Sequence, residues 1–508
     1  MSDPPRLRVR GPLRRALTAD ALAQIPKDAL ARFLLERRWF GGKGKAPATV
    51  HFRDVIPLFD GAAAITRLDV DEGTDRASTY QLPIVARPES PGALESPLGV
   101  LATIECDEGR GHLLDALGDA EIRSLLGDAL CEGATFANDG AQWRIEPIAA
   151  HQESRGPSRV LRAEQSNTSV AFRDRSMLKL YRRIAPGRNP DVEVGDFLAR
   201  QGRFPNVPRL LAIIRFVDGA KSETIAGMLQ EFVPSRGDAW AFALDCARAE
   251  AVDRQPANDE LFAGAARRLG EVTRGLHEAL AAPSNSPEFA PEPATAADAA
   301  AWGEAVARQV KHAGEALAAQ VTEPGFPAEA RPLARTCLEH LADALRRARS
   351  IAASFEAGAG QKIRHHGDYH LGQVLVTEHG GFMILDFEGE PARPLAERRQ
   401  RHCALRDVAG MVRSISYAAA AAARAAGRPD ASERLARWER EARAAFLNGY
   451  FGSELPSFLP QTTEAASDLL ELFEIEKAFY ELAYEVNHRP DWVEIPLRAV
   501  ARAFETAR

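Results

Sequence analysis

Residues 364–375 (RHHGDYHLGQVL), followed by residues 383–391 (MILDFEGEP), constrain this chain more than any other stretch. Asp368 stands five residues before Gln373, and Asp386 closes an apolar run. Residues 373–377 and 382–386 are short apolar runs separated by Glu378, His379, Gly380 and Gly381. Two such runs around a Gly-containing loop are expected to form a β-hairpin. A symmetric four-residue loop pairs Thr377 with Phe382, and counting back along both strands sets Gln373 opposite Asp386. Directly opposed residues share a face, with Cβ atoms about 5 Å apart. An amide oxygen and a carboxylate then converge as ligands for a hard cation such as magnesium. Asp368 lies just before the first strand, in a loop where Gly367 permits unusual backbone angles; that place suits a base that accepts a hydroxyl proton.

A catalytic-loop carboxylate, an amide ligand and a metal-binding carboxylate, in that order, are the parts of kinase-type phosphoryl transfer. The competing zinc reading rests on His366 and His370, four apart like helical zinc ligands. Gly367 between them, and the lack of a Glu after His366, count against it. Phosphoryl transfer from ATP also needs groups upstream. Residues 175–181 (RSMLKLY) read as a strand that holds Lys179 among apolar neighbours, as a phosphate ligand. Residues 189–198 (NPDVEVGDFL) open with helix-start signals. Glu193, fourteen residues after Lys179, is placed to orient it. The polar segment 163–172 (AEQSNTSVAF) contains no Gly-x-Gly, so a turn over the phosphates would use small polar groups, Ser166 and Thr168. Residues 228–234 (MLQEFVP) form an apolar run ending at a Pro, where a hinge falls. The backbone of Gln230, Glu231 and Phe232 is expected to face the adenine.

These segments resemble those of bacterial maltokinases, including the modules fused to trehalose synthase. The resemblance rests on residues 366–413, with DFEGEPARPLAERR at 386–399 and LRDVAG at 405–410. It is supported by RWFGGK at 38–43, EQSNTS at 164–169, and EKAFYELAYE at 476–485 with RPDW at 489–492. It implies an α+β, two-lobed protein-kinase-like fold with an extra N-terminal cap and a mainly helical C-terminal lobe. It also implies ATP- and magnesium-dependent phosphorylation of maltose at its anomeric hydroxyl, giving maltose 1-phosphate for glycogen-type α-glucan synthesis, with trehalose synthase as a partner activity. By match, Asp368 is the base, Gln373 and Asp386 hold magnesium, Lys179 grips the phosphates and Glu193 orients it. The nearest alternative acceptor is an amino sugar such as glucosamine. A non-catalytic nucleotide-binding scaffold is the remaining reading, and the complete set of site residues argues against it. For the acceptor, Lys477, Tyr480 and Tyr484 are spaced three and four apart and share a helix face. Arg489 and Trp492 follow that helix, and Glu388 and Glu390 add candidate metal or sugar contacts.

At 508 residues the chain exceeds what one core holds. The expected divisions are a cap over 1–95, the rest of the N-terminal lobe over 98–234, and a mainly helical lobe over 235–508. The loop-rich stretch 86–97 marks the first boundary. A net charge of −7 offers no general basic field for nucleic acid. The early arginines, Arg6, Arg8, Arg10, Arg14 and Arg15, are not followed by an apolar run, so no secretory signal is expected. No stretch approaches the roughly 20 apolar residues of a membrane helix. Five scattered cysteines without a CxxC pair fit a reducing cytoplasm. Trp39 and Phe40 are expected to anchor a core.

Overall fold

The computed structural model describes residues 4–41, 47–71, 73, 77–89, 98–148, 150–161, 166–219, 223–252, 262–355, 359–390, 393–427 and 429–505. Gly42, Lys43, Ala163, Glu164, Gln165, Pro391 and Ala392, quoted above within motifs, lie outside these. The chain divides into two compact units. The first comprises residues 1–199 and 208–234, the second residues 200–207 and 235–508.

The first unit is built on two antiparallel sheets. In spatial order, one consists of Arg6–Arg8, Val100–Cys106, Gly109–Asp115, Ala77–Pro88, Ala63–Asp71 and Thr49–Leu58, with Arg183–Ile184 added on Ala77–Pro88. Only the Arg6–Arg8 pairing is parallel. Val100–Cys106 and Gly109–Asp115 form a hairpin whose second strand pairs back onto Ala77–Pro88. The sheet therefore runs past the division expected at residue 95: the loop-rich stretch is a connection within one sheet, not a boundary. Two helices precede the first long strand, Ala19–Leu22 and Lys27–Leu35. Pro26 separates them because it fixes φ and lacks an N–H. Trp39 and Phe40 are buried against Tyr80, with ring centroids 5.9 and 5.3 Å away.

The second sheet runs Ala134–Asn138, Ala141–Pro147, Leu210–Asp218, Glu223–Glu231, Ser176–Tyr181, Asn167–Phe172 and Ser158–Val160. Its apolar face, with Ile56, Ile65 and Val85 from the first sheet, encloses a core that includes Phe172, Leu178, Ile214 and Leu229. Arg182, just after the strand that bears Lys179, ties the two sheets. Its buried guanidinium lies 2.7 Å from the Asp115 carboxylate, donates to Thr168 Oγ1 at 2.8 Å, and sits 5.0 Å from the Trp39 ring centroid. Removing one member of such a buried pair costs roughly 3–5 kcal/mol, because the other charge is left uncompensated.

The second unit is mainly helical, with a small sheet of Ser235–Asp238, Val374–Thr377 and Phe382–Ile384. Its longest helices are Ala296–Gln320, Leu405–Ala426, Pro429–Phe451 and Thr463–His488. The first opens on a capping box between Thr295 and Asp298. The second ends at Gly427, whose φ of +63° makes a left-handed stop after the Ala-rich end of that helix. In the Phe262–Leu280 helix, Ala265, Ala266, Leu269, Thr273, Leu276 and Leu280 are buried at spacings of three and four, which is its core-facing stripe.

That helix crosses Pro429–Phe451 at two glycines. A Cβ on Gly449 would overlap the Arg267 carbonyl oxygen, and one on Gly270 would overlap that of Phe446. Alanine gains about 1 kcal/mol of helix propensity over glycine, but overpacking against backbone costs about 1–3 kcal/mol or more. Gly449→Ala and Gly270→Ala are each expected to lower stability, read as a fall in the urea midpoint; an unchanged or raised midpoint would show that the helices separate freely.

Candidate functional site

The loop that carries Asp368 is held by one buried carboxylate. Asp407, in the first turn of Leu405–Ala426, accepts the backbone N–H of His366 at 2.7 Å and of Gly367 at 2.9 Å. Its Oδ2 also lies 3.2 Å from His277 Nε2, and His277 Nδ1 lies 2.9 Å from the Tyr450 hydroxyl. Burial alone would push the Asp407 carboxyl up; His365 and His277 outweigh it and hold it well below the usual range. One turn on, Gly410 lets the helix reach the loop, since a Cβ there would stand 2.6 Å from the Tyr369 carbonyl oxygen. Gly367 itself has a φ of +84°.

His366 shapes the loop from within. Its Nε2 lies 2.8 Å from the Leu385 carbonyl oxygen, and its Nδ1 accepts the Asp368 N–H at 3.4 Å. This network assigns the proton to Nε2. The zinc reading has no support in this geometry, because each ring nitrogen of His366 has a backbone partner. His370 Nδ1 accepts the Gly372 N–H.

The hairpin forms, but one residue out of the expected register. Val374 pairs with Ile384, Leu375 with Met383 and Val376 with Phe382. The Thr377 N–H donates the closing bond to the Gly381 carbonyl oxygen at 2.9 Å, so the loop has three residues, not four. Gly380 takes a φ of +79°, the left-handed position that closes such a loop. Gln373 therefore lies in the short helical turn Leu371–Gln373 and faces Leu385, whose N–H it accepts at 2.9 Å. Gln373 and Asp386 meet nonetheless, with Nε2 3.2 Å from Oδ2. What restores the meeting is the left-handed backbone of Asp386, φ +64°. One carboxylate oxygen of Glu388 lies within 4.8 Å of one of Asp386. Two carboxylates and an amide, which can rotate to present its oxygen, are an all-oxygen set of the kind that suits magnesium.

On the acceptor side, Lys477 Nζ lies 3.8 Å from Asp368 Oδ1 and 4.8 Å from the Tyr480 ring centroid. Burial and neighbouring Glu390 push the Tyr480 phenol up. Burial favours a protonated Glu390, but hydrogen bonds from Arg393 and Tyr480 prevail and hold its carboxyl below the usual value. Arg393 bonds Glu390 at 2.7 Å, and Arg406 bonds Glu476 at 2.7 and 3.1 Å. Asp368, Lys477, Tyr480 and Glu390 line one pocket of about 40 Å³.

Tyr484 and Arg489 are not in that pocket. Tyr484 is 44% exposed and stacks on His488, with centroids 4.6 Å apart. Arg489 is ion-paired to Glu485 at 2.6 Å and lies against the Tyr484 and Trp492 rings. They form an exposed cluster at the end of Thr463–His488, because seven residues carry Tyr484 about 10 Å along the helix axis from Lys477. Glu388 belongs by position with Asp386, among the candidate cation ligands.

In the first unit, Lys179 is buried and its Nζ lies 2.9 Å from Asp191 Oδ2, which also accepts the Tyr181 hydroxyl at 3.2 Å. Asp191, not singled out from the sequence, sits in the first turn of Pro190–Gln201, two residues before the buried Glu193. Its signal was present: Asn189 Oδ1 accepts the Asp191 N–H at 2.8 Å, so the start motif that marks the helix also fixes this carboxylate. Ser169 stands directly across from Lys179 and shares its face; Thr168, opposite Leu180, lies on the other face with its hydroxyl held by Arg182. Thr168 is thus engaged inside the protein and is not a phosphate contact. Ser166 is exposed just before the strand. At the expected hinge, the Glu231 N–H donates to Arg209 O and the Phe232 N–H to Arg175 O, both at 2.9 Å. Those two donors are committed within the sheet, which removes them as adenine donors. Gln230 is buried in register with Met177 and Leu210.

Two family models match the chain: the maltokinase N-terminal cap domain over residues 33–119 and the phosphotransferase enzyme family over residues 158–389. Among curated proteins, the glucosamine kinase of Streptacidiphilus jiangxiensis is 28% identical over 391 residues, 75% of this chain and 80% of that one. That of Mycolicibacterium smegmatis is 28% identical over 347 residues, 68% and 79% of the two chains. Among solved structures, a glucosamine kinase in crystal form B superposes with a TM-score of 0.65 at 22% identity, covering 96% of this chain and 99% of that one. A glucosamine kinase in complex with glucosamine, ADP and inorganic phosphate gives 0.62 at 21%, covering 93% and 98%. The chain therefore has the kinase-like phosphotransferase fold with an N-terminal cap, and is a phosphotransferase. No helix among the described residues is long and apolar enough to cross a membrane.

Two outcomes follow from the loop's anchoring. Asp407→Asn keeps the size of the side chain but replaces one acceptor oxygen by a donor, so the loop shifts. Misplacement of about 1 Å costs about 10²-fold in rate; kcat is expected to fall by that order while nucleotide affinity, measured by calorimetry, stays. Burial also pushes His365 down to about 4. Unfolded histidine titrates near 6.5, so the unfolded chain binds more protons below that pH and stability rises with pH. The contribution is complete above about pH 6.5 and is lost as pH falls toward 4. The urea midpoint is expected to decline across that window, less steeply in His365→Gln.

Proposed function

We propose that this chain, a phosphotransferase with a maltokinase-type cap, moves the γ-phosphoryl group of ATP onto the anomeric hydroxyl of maltose. The product, maltose 1-phosphate, suits a cytoplasmic role in α-glucan synthesis, next to a trehalose synthase that supplies maltose. The observation that carries a neutral acceptor is the charge pairing around Asp368. Glu390 is bonded to Arg393 and Glu476 to Arg406, and Asp368 itself faces Lys477. A cationic amino sugar would look for a lone carboxylate, whereas paired ions and a tyrosine offer hydrogen bonds to hydroxyls. The cap domain points the same way.

In this reading the acceptor hydroxyl enters beside Asp368 and displaces Lys477 from it. Asp368 takes the hydroxyl proton as the sugar oxygen bonds to the γ-phosphorus and the bond to ADP breaks. Lys477 remains beside the developing charge. Lys179, held by Asp191 with Glu193 on the same helix, meets the nucleotide phosphates, with Ser166 and Ser169 near the turn that covers them. Gln373 and Asp386, joined by Glu388, would hold magnesium, which supplies charge neutralisation at the phosphates. The adenine would be met along Gln230–Phe232 through groups other than the two committed N–H donors.

Glucosamine is the second reading, favoured by the names of the 28%-identical relatives. The two are separated by magnesium-dependent ADP release measured against maltose, glucose, trehalose, glucosamine and kanamycin, with the phosphorylated position fixed by phosphorus NMR. Turnover with maltose, giving an anomeric phosphate, is expected; turnover confined to glucosamine would overturn the acceptor.

A further inference from the structure

A cavity of about 950 Å³ lies among five helices of the second unit: Leu341–Ala353, Leu405–Ala426, Pro429–Phe451, Thr463–His488 and Glu494–Glu505. Small side chains from four of them, Ala344, Ser350, Ser416, Ala478 and Ala499, leave the space between them open. Among the described residues it shares no lining with the pocket at Asp368. Two helices part the two spaces. On Thr463–His488, Glu476, Lys477 and Tyr480 line the Asp368 pocket, whereas Ile475, Ala478 and Phe479 line the cavity. On Leu405–Ala426, Asp407 and Gly410 stand on the first side, Val412 and Arg413 on the second. The size is that of pockets that bury whole organic ligands, about 300–1,000 Å³.

The lining has two chemistries. Val412, Ile475, Ala478, Phe479 and Val500 make an apolar floor. Around it stand five arginines, Arg346, Arg347, Arg413, Arg440 and Arg443. The lining carboxylates are already taken: Asp343 by Arg346, Glu471 by Arg347, Glu474 by Arg443, and the buried Glu439 is engaged as well. Arg413 is held by Glu481 at 2.7 and 3.0 Å. These bonds use two nitrogens of each paired guanidinium. Among the described residues they leave Arg347 Nη1, Arg413 Nη1 and Arg443 Nε without an acceptor. Arg440 is exposed and has no partner among the described residues. The cavity thus offers spare cationic donors beside apolar surface, and no free carboxylate.

We propose that this cavity is a binding site for an amphipathic carboxylate, an aliphatic chain ending in a single anionic group. The chain lies on the floor of Val412, Ile475 and Phe479, and the head group meets Arg440 and the unused nitrogens of its neighbours. Charge-assisted bonds of this kind are about twice as strong as neutral ones. A cationic or purely polar ligand finds neither partner. The site is separate from the transfer reaction and stands whichever sugar accepts the phosphoryl group.

The test is calorimetric titration of the full-length protein with octanoate, decanoate and decylamine. Decanoate is expected to bind one site, roughly tenfold more tightly than octanoate, as two further buried methylenes require. Decylamine is expected not to bind. Arg440→Gln, at an exposed position without a partner, is expected to weaken decanoate about tenfold or more. Ser350→Phe fills the cavity from another exposed position and is expected to weaken it at least as much, with the urea midpoint of both variants unchanged. Absence of saturable decanoate binding, equal binding of decylamine, or an affinity unchanged in either variant would overturn the site.

Discussion

The acceptance of the His366 and Gly367 N–H groups by Asp407 is the contact on which the site depends. An ionised carboxylate is expensive to bury, and it stays charged here because two backbone donors and His277 surround it. Those donors belong to residues held by further contacts: Gly367 is in a left-handed conformation, and His366 is tied to Leu385 and to the Asp368 N–H. Asp368 therefore inherits its position from a helix rather than from its own loop. Gly410, three residues on, completes the arrangement by letting that helix approach the Tyr369 carbonyl. A loop fixed in this way would hold Asp368 preorganised for the base role proposed above, with no reorganisation cost during the reaction.

The metal-side carboxylate shows the same economy of local geometry. Left-handed backbone at a residue other than glycine costs on the order of 1–3 kcal/mol and persists where the surroundings impose it. At Asp386 it follows a strand whose Ile384 N–H is bonded to Asn206 and whose Leu385 N–H is bonded to Gln373. The strand cannot continue, and the side chain turns back toward Gln373 and Glu388. The strained residue and the candidate cation ligand are the same.

Much of this was legible in the sequence, and the failures have identifiable causes. The hairpin, the Gln373–Asp386 meeting and the place of Asp368 in a loop before the first strand were readable because strand runs, loop length and motif order are local. The register was not, because it turned on whether Gly380 or a symmetric four-residue loop closed the hairpin. Asp407 lies about forty residues from the loop it holds, a distance at which periodicity carries no information. Asp191 was read as a start signal and not as the partner of Lys179, since both roles use the same carboxylate at a helix beginning. Thr168 failed as a phosphate contact through strand alternation, which sends it toward Arg182. Tyr484 and Arg489 failed because a shared helix face says nothing of how far along the helix a pocket extends. The cap outran residue 95 because loop composition does not distinguish a domain boundary from a long connection within a sheet.

The central claim is that Asp368 is the proton acceptor in a site whose other groups bind nucleotide independently of it. The most direct measurement is on Asp368→Asn, with sugar phosphorylation and ATP affinity followed in the same preparation. Loss of about 10²–10⁴-fold in transfer, the usual contribution of a positioned base, with ATP affinity unchanged, is the predicted result. Transfer at the wild-type rate would contradict the account.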